Sequence, residues 1–159
     1  MPTTPRFLAD CNVGRLARWL RVLGYDAAYE PKIADSELVA RALAEGRVLL
    51  TRDVDLTRRR VIADGTLRTV LLDADRVAEQ LRQVIDEVGL AAPGQGGTDL
   101  SRCLECNVEL EPRKKTQVVH LIPPHVRATQ RSFSQCPRCA RVYWPGTHWR
   151  RMRATMAAL

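Results

Sequence analysis

Two short stretches, residues 103–106 (Cys-Leu-Glu-Cys) and residues 136–139 (Cys-Pro-Arg-Cys), divide this 159-residue chain into two parts. Each stretch has two cysteines separated by two residues, a spacing that lets both thiolates bind the same metal ion. Two such pairs supply the four ligands of a tetrahedral zinc site, which is typical of a zinc ribbon. The predicted ligands of this structural zinc ion are Cys103, Cys106, Cys136 and Cys139.

Two disulfide bonds are the alternative, since four cysteines in a secreted protein are often paired in that way. Residues 1–6 are not followed by the apolar stretch of a secretory signal, and no apolar run reaches the length of a membrane span. We therefore expect a cytoplasmic protein that has no membrane partner and keeps its thiols reduced. The fifth cysteine, Cys11, is interpreted as a small half-buried residue rather than a nucleophile.

Positive charge is concentrated in the second part of the chain. Residues 1–100 contain 14 Lys and Arg against 15 Asp and Glu, a net charge of −1. Residues 101–159 contain 11 Lys and Arg against 3 Asp and Glu, a net charge of +8. This asymmetry indicates a polyanionic partner, most often a nucleic acid, although a basic surface that only aids solubility is the alternative.

Short apolar runs alternate with segments of helical periodicity before residue 90. The predicted strands are residues 6–9, 25–29, 48–50 and 69–72. The first predicted helix follows the first strand from Val13 to Leu23, and the second has Asp35 or Ser36 as its N-cap and stops at Gly46. A short basic helix is predicted after Asp53, and the last helix covers residues 75–88. Alternating strands and helices predict an α/β fold with a mainly parallel sheet.

Composition suggests where the parts of the chain meet. We predict one domain over residues 5–90, a linker over residues 91–101, and the zinc ribbon with a short C-terminal tail over residues 102–152. Residues 93–97 (Pro-Gly-Gln-Gly-Gly) are expected to be a flexible linker rather than a phosphate-binding loop. No strand precedes this stretch, and no Lys-Ser or Lys-Thr pair follows it.

Acidic residues follow two of the predicted strands. Asp10 ends the first strand and Asp53 ends the third, while Asp35 and Glu37 begin a helix that leads into the third strand. Ligands collect at the carboxyl ends of parallel strands, and converging carboxylates need a cation such as Mg²⁺ or Mn²⁺. Asp55 lies two residues after Asp53 and is a further candidate. Two alternatives remain open, in which Asp35 only caps its helix and Asp55 is only a solvated turn residue.

Several motifs along the chain resemble those of one known family. They are residues 7–10 (Phe-Leu-Ala-Asp), residues 14–26 (Gly-Arg-Leu-Ala-Arg-Trp-Leu-Arg-Val-Leu-Gly-Tyr-Asp), residues 35–38 (Asp-Ser-Glu-Leu), residues 48–53 (Val-Leu-Leu-Thr-Arg-Asp), and the second cysteine pair followed by residues 142–148 (Val-Tyr-Trp-Pro-Gly-Thr-His). Together they resemble the Mut-seven C-terminal RNase family, in which a PIN-like nuclease domain is fused to a zinc ribbon. The resemblance spans about residues 6–152.

That resemblance implies a PIN-like three-layer fold and a ribonuclease that hydrolyses RNA phosphodiester bonds with Mg²⁺ or Mn²⁺. The residues matching the family's acids are Asp10, Asp35 and Asp53. A typical PIN nuclease has a fourth acid, for which Glu37 and Asp55 are the candidates.

Basic residues and one tryptophan are the candidate RNA contacts. Near the acids these are Arg15, Arg18, Trp19 and Arg52, and in the ribbon they are Arg113, Lys114, Lys115, Arg138 and Arg141. Trp19 could stack on a base, or it could be a half-buried residue on a solvated basic face. By analogy with the ribosome-assembly PIN nuclease that carries a zinc ribbon, structured rRNA or tRNA is the expected partner. The alternatives are a non-catalytic RNA-binding module and a toxin-like nuclease controlled by a protein antitoxin.

Overall fold

The first part of the chain forms a four-stranded parallel sheet in this computed structural model. Strands β1 (Phe7–Ala9), β2 (Ala27–Tyr29), β3 (Val48–Thr51) and β4 (Thr69–Leu71) lie in the order β2-β1-β3-β4. All three pairings are parallel. The structure describes residues 3–93, residue 95 and residues 99–158.

Helices cover both faces of this sheet, so the domain has three layers. The helices of this part are α1 (Gly14–Val22), α2 (Asp35–Glu45), α3 (Val54–Thr57), α4 (Arg60–Ala63) and α5 (Val77–Val88). On one face, Leu16 of α1 and Leu81 of α5 share an apolar cluster with Phe7, and on the other face Leu38 of α2 packs with Leu8. Successive residues of β1 therefore point to opposite cores, as expected for a strand buried on both faces.

The predicted α/β fold with a parallel sheet is confirmed, and the element ends differ from the prediction by one or two residues. The largest local difference is at the start of α2. Ala34 occupies the N-cap position there, and Asp35 is the first helical residue. The prediction that Asp35 or Ser36 caps this helix is therefore wrong.

The second part of the chain contains a small antiparallel sheet, with the second cysteine pair between its last two strands and the first pair in a turn closed by an isolated bridge between Arg102 and Glu109. Its strands are β5 (Glu111–Arg113), β6 (Phe133–Gln135) and β7 (Val142–Tyr143), in the order β5-β6-β7. The short helices α6 (Lys115–Val118) and α7 (Pro124–Thr129) lie between β5 and β6. They form a separate core in which Val118, Ile122, Val126 and Phe133 are buried. Because this core is so small, a bound metal is expected to supply much of the stability of the ribbon.

The first cysteine pair is docked onto the N-terminal domain by buried polar contacts. Arg21 of α1 is 8% exposed and donates hydrogen bonds to the carbonyl oxygens of Ala27 (2.8 Å) and Leu104 (2.7 Å). Asn107 accepts a hydrogen bond from the Ala27 amide and donates one to Asp26. The ribbon is therefore fixed against α1 and β2 by groups that would lose their partners if it moved away.

The last helix, α8 (Thr147–Ala157), packs against α5 of the N-terminal domain. Met156 is 2% exposed and belongs to the apolar cluster that lies under α1 and α5. The predicted boundary at residue 152 falls inside this helix, so the C-terminal segment is not a tail of the ribbon. Of the predicted linker, residues 94 and 96–98 lie outside the described residues. Within the described ranges, no helix is long and apolar enough to cross a lipid bilayer.

Arg21→Met tests the docking of the ribbon. The change leaves the carbonyl oxygens of Ala27 and Leu104 without the hydrogen-bond donor of Arg21. Each unsatisfied acceptor costs about 1–3 kcal/mol of stability. We expect the free energy of unfolding, measured by urea denaturation, to fall by roughly 2–5 kcal/mol. Arg15→Met, an exposed position on the same helix, is the matched control. Equal urea midpoints for the two variants would show that Arg21 does not stabilise the docked arrangement.

Candidate functional site

Asp10 lies at the carboxyl end of β1, in the middle of the sheet, and is 6% exposed. Its Oδ1 accepts a hydrogen bond from the Cys11 amide (2.7 Å), which caps the 3-10 helix Cys11–Val13. Its Oδ2 accepts a hydrogen bond from the Thr51 hydroxyl (2.8 Å). Both oxygens are therefore held in fixed positions, and each retains capacity to accept a further contact.

Thr51 connects Asp10 with Asp53. The register pairs Ala9 with Leu50, so the residue after β1 lies beside the last residue of β3. The Thr51 hydroxyl donates to Asp10 and accepts a hydrogen bond from the Asp53 amide (3.0 Å). Parallel pairing thus brings two of the predicted acids to the same edge of the sheet, linked through one buried hydroxyl.

Asp53 is also the N-cap of α3. Its Oδ1 accepts hydrogen bonds from the amides of Asp55 (2.9 Å) and Leu56 (3.3 Å). Neither bond involves Oδ2, so that oxygen is available to a ligand. A cap is a sufficient structural reason for an aspartate at this position, and the geometry is compatible with a metal ligand as well.

Asp35 and Glu37 lie in the first turn of α2, and both are exposed. Cys11 is exposed, so the expectation of a half-buried residue is wrong. Slight burial raises the pKa of its thiol, and the negative charges of Asp10 and Asp35 raise it further. The charge of Asp35 therefore acts on the same residue as that of Asp10. Asp55, the other candidate for a fourth acid, is exposed and forms an ion pair with Arg58 (3.1 Å).

The carboxylates of Asp10, Asp35 and Asp53 are not packed into a single-ion cage. Within the described residues, only the four cysteines form a group of three or more candidate ligands whose ligand atoms all lie within 4.8 Å of one another. Ligands of one Mg²⁺ ion at about 2.1 Å lie no more than about 4.2 Å apart. Mg²⁺ usually binds one or two carboxylates and completes its shell with water and substrate oxygens, so this spacing suits an open site.

A basic cleft of about 530 Å³ begins at the residue after Asp10. Its cationic lining residues are Arg15, Arg18, Arg21 and Arg52. Leu104 and Glu105 of the first cysteine pair form the opposite wall. Glu105 forms ion pairs with Arg18 (2.6 Å) and Arg141 (3.2 Å), so a carboxylate of the ribbon partly neutralises the cleft.

Sequence reasoning missed Asp75 and Tyr29 as residues of this cleft. Asp75 lines it and forms an ion pair with Arg52 (2.5 Å). The sequence did contain a signal for Asp75, because residues 73–75 follow the carboxyl end of β4 in the same way as Asp10 follows that of β1. Tyr29 also lines the cleft, where its ring lies so close to Gly14 that an added Cβ would be 2.5 Å from Cζ. No pattern in the sequence indicated that contact.

The other predicted RNA contacts lie in four different places. Trp19 is half-buried against the apolar cluster under α1, as in the alternative that made it a packing residue. Arg113, Lys114 and Lys115 lie at the junction of β5 and α6, and Arg113 forms an ion pair with Glu111. Arg138 is exposed in the second cysteine pair. Arg141 lies beside the cleft, because it forms an ion pair with Glu105, which lines the cleft.

The four cysteines come together in the ribbon, where they could bind zinc. All their sulfur atoms lie within 4.8 Å of one another, and the Sγ atoms of Cys103 and Cys139 are 3.7 Å apart. Four sulfurs at about 2.3 Å from a zinc ion in a regular tetrahedron are about 3.8 Å apart. The observed separation therefore matches that of a zinc site.

Hydrogen bonds prepare one of these thiols for ionisation. Burial raises the pKa of Cys103, but hydrogen bonds from the Tyr143 hydroxyl and from backbone amides outweigh it and lower that pKa to about 7. Burial and the neighbouring thiols raise the pKa of Cys106 to about 12. The cluster cannot hold four thiolates at neutral pH without a cation, and zinc binding would release the remaining protons.

Comparison with known proteins places the chain in a family. The sequence model of the Mut7-C RNAse domain matches residues 5–156, nearly the whole chain. This chain belongs to the Mut7-C RNAse domain family. The match includes the acid-bearing sheet, the cysteine ribbon and almost all of α8, in agreement with the resemblance seen in the sequence motifs. No curated protein and no solved structure matches the chain.

Cys136→Ser tests the zinc site. Protein purified without chelator should contain about one zinc per chain by elemental analysis, and the variant should contain far less, because one thiolate ligand is lost. Its ribbon should lose its cooperative thermal transition, since metal binding supplies much of the folding energy of such modules. Cys11→Ser, which changes the one cysteine outside the cluster, should keep the zinc. A parent protein without zinc would refute the assignment.

Proposed function

We propose that this member of the Mut7-C RNAse domain family hydrolyses RNA phosphodiester bonds with the help of Mg²⁺ or Mn²⁺. The observation that carries the proposal is Asp10, a buried and oriented carboxylate next to an arginine-lined cleft. Asp53 shares its edge of the sheet through Thr51, and Asp35 lies close enough for its charge to act on Cys11. Acids beside a phosphate-binding surface are what metal-assisted phosphodiester hydrolysis requires.

The chemistry of the acids fits a hard divalent cation. Among the described residues, none of Asp10, Asp35 and Asp53 forms an ion pair with an arginine or lysine. Uncompensated carboxylates at one edge repel one another, and a cation would relieve that repulsion. A bound ion would lower the pKa of a water ligand and neutralise charge that develops on the phosphate.

The residues of the chain have separate roles in this proposal. Asp10 and Asp53 hold the cation, and the Thr51 hydroxyl orients Asp10. Arg15, Arg18 and Arg52 bind RNA phosphates, because a guanidinium pairs well with phosphate oxygens. We place Asp75 beside Glu37 and Asp55 as a candidate for the fourth acid, since it lines the cleft. Structured rRNA or tRNA remains the proposed substrate class.

A second candidate function is a non-catalytic RNA-binding module. The capping contacts of Asp10 and Asp53 favour it, because aspartates make such contacts in proteins that bind no metal. In that case the arginine-lined cleft would bind RNA and the carboxylates would only shape the loops. Variants that each remove one carboxylate charge distinguish the two functions, because only the catalytic function needs those charges.

Asp10→Asn and Asp53→Asn test catalysis. Each amide keeps the size and the capping oxygen of the side chain but lacks the charge that binds the cation. We expect cleavage of a labelled RNA with Mg²⁺ or Mn²⁺ to fall on the order of 100-fold or more. Asp86→Asn, an exposed position on α5, is the matched control and should cleave normally.

Asp35→Asn is the sharper variant, because Asp35 is not the N-cap of α2 and its amide should change the melting temperature little. A large loss of cleavage at an unchanged melting temperature would make Asp35 a metal ligand. Normal cleavage by all three variants, or a parent inactive on every RNA tested with either metal, would favour the binding module.

The double variant Arg15→Gln/Arg18→Gln tests the cleft as the phosphate-binding surface. Each lost phosphate contact should reduce the slope of log K against log salt by about 0.7 for single-stranded RNA, so the double variant should lose about 1.4. Binding is measured by fluorescence anisotropy at several salt concentrations. Glu105→Gln should have the opposite effect and tighten binding, because it removes the counter-charge of Arg18 and Arg141.

Two further variants make the binding result specific. Arg68→Gln/Arg82→Gln removes the same charge from surfaces outside the cleft and should change the slope much less. The triple change of Arg113, Lys114 and Lys115 to Gln measures the contribution of the ribbon without removing α8, which is packed against α5. An unchanged slope in the Arg15/Arg18 variant would show that RNA does not bind in the cleft.

A further inference from the structure

Two adjoining cavities lie between the ribbon and α8, on surfaces other than the basic cleft. Their volumes are about 390 Å³ and 240 Å³. Of the described lining residues, Leu104 is the only one that either cavity shares with the cleft. The larger cavity is within the range of small-ligand sites, roughly 300–1,000 Å³.

Aromatic side chains form the common wall of the two cavities. Tyr143, Trp144 and Trp149 line both of them. The position of the Trp144 indole depends on Gly146, where an added Cβ would lie 2.9 Å from the indole Nε1. The motif at residues 143–149 thus places three aromatic side chains around one space, and a planar ring is the kind of ligand that such walls bind best.

Polar groups accompany the aromatic wall. Ser132, Ser134 and Asp99 line the larger cavity and could form hydrogen bonds with the edge of a base.

Positive charge surrounds the same space. The guanidinium carbon of Arg153 lies 5.2 Å from the centre of the Trp149 ring. Arg150, Arg151 and Arg153 of α8 are exposed, and none of them forms an ion pair with another described residue. Arg131, next to Ser132, is likewise exposed and unpaired within the described chain. Uncompensated arginines beside aromatic rings are complementary to a nucleotide, which combines a flat base with a charged phosphate.

We propose that the cavities lined by Tyr143, Trp144 and Trp149 bind an unpaired nucleotide of the RNA. The base stacks against the aromatic wall, Ser132, Ser134 and Asp99 contact its edge, and the arginines of α8 bind the flanking phosphates. This site rests on the proposed function, because it assumes that RNA is the substrate. It adds that the RNA has a single-stranded segment, which binds apart from the acids.

The test compares a hexaadenylate RNA with an abasic hexamer that has the same sugar-phosphate chain but no bases. Binding to the zinc-loaded full chain is measured without added Mg²⁺ or Mn²⁺, by anisotropy and by quenching of tryptophan fluorescence. A Trp19→Phe background leaves Trp144 and Trp149 as the only tryptophans. We expect hexaadenylate to quench the emission, and the abasic hexamer to bind on the order of 5- to 100-fold more weakly without quenching.

Arg153→Gln gives a second measurement that does not disturb the aromatic core. It should weaken binding of hexaadenylate several-fold, whereas Arg82→Gln, an exposed arginine on α5, should not. Ser132→Tyr, which fills the larger cavity from its rim, should abolish quenching while zinc content and melting temperature stay unchanged.

The outcomes separate this site from the proposed function. Equal affinity of the two hexamers without quenching would overturn the nucleotide site, even if the protein still cleaves RNA with Mg²⁺ or Mn²⁺. Quenching by hexaadenylate that is lost in Ser132→Tyr would support the site, even if no cleavage is found and the catalytic proposal fails. An absence of binding to either hexamer would overturn the site as well.

Discussion

The parallel pairing of β1 with β3 is the constraint on which the candidate site depends. Phe7 and Leu50 face one core, while Leu8 and Leu49 face the other. A shift of one residue would reverse the faces of a strand, so burial of these side chains enforces the register. The same register places Asp10 beside Thr51, and the Thr51 hydroxyl then connects Asp10 with the backbone of Asp53. Hydrophobic packing inside the domain thus decides where the carboxylates lie at its edge.

The docked ribbon forms part of the cleft that adjoins the acid-bearing edge of the sheet. Arg21 satisfies carbonyls from β2 and from the first cysteine pair, so the ribbon and the N-terminal domain share one buried polar junction. This junction brings Leu104 and Glu105 opposite α1 and thereby forms the second wall of the cleft. The ribbon therefore contributes to the site itself, and α8, which follows the ribbon in the chain, adds a further contact with the N-terminal domain at α5.

Asp10 and Asp53 have a structural role in the fold and are also candidate metal ligands. Asp10 and Asp53 accept amide hydrogen bonds that order the turns after β1 and β3. Such bonds hold each carboxylate in one orientation. Among the described residues, neither acid forms an ion pair with an arginine, although arginines line the adjoining cleft, where Glu105 and Asp75 pair with two of them. Negative charge at the edge of the sheet therefore stays separate from the positive charge of the cleft.

The motifs of the sequence identified the family by resemblance, and its local signals determined the α/β class, the cysteine cluster, and the strands and longer helices before residue 90 to within one or two residues. The strands and helices after residue 101 were not predicted. Periodicity, glycine punctuation and ligand spacing are local signals, which is why they could be interpreted without the structure. Asp10 and Asp53 were predictable for the same reason, since both directly follow apolar strands. Only the tertiary structure decided that α8 packs on the N-terminal domain, that Glu105 faces Arg18, and that Tyr143, Trp144 and Trp149 line one space together with Asp99 and Ser132. Those contacts join residues far apart in the chain, and their geometry follows from how the sheet, the ribbon and α8 pack together, which no local pattern encodes.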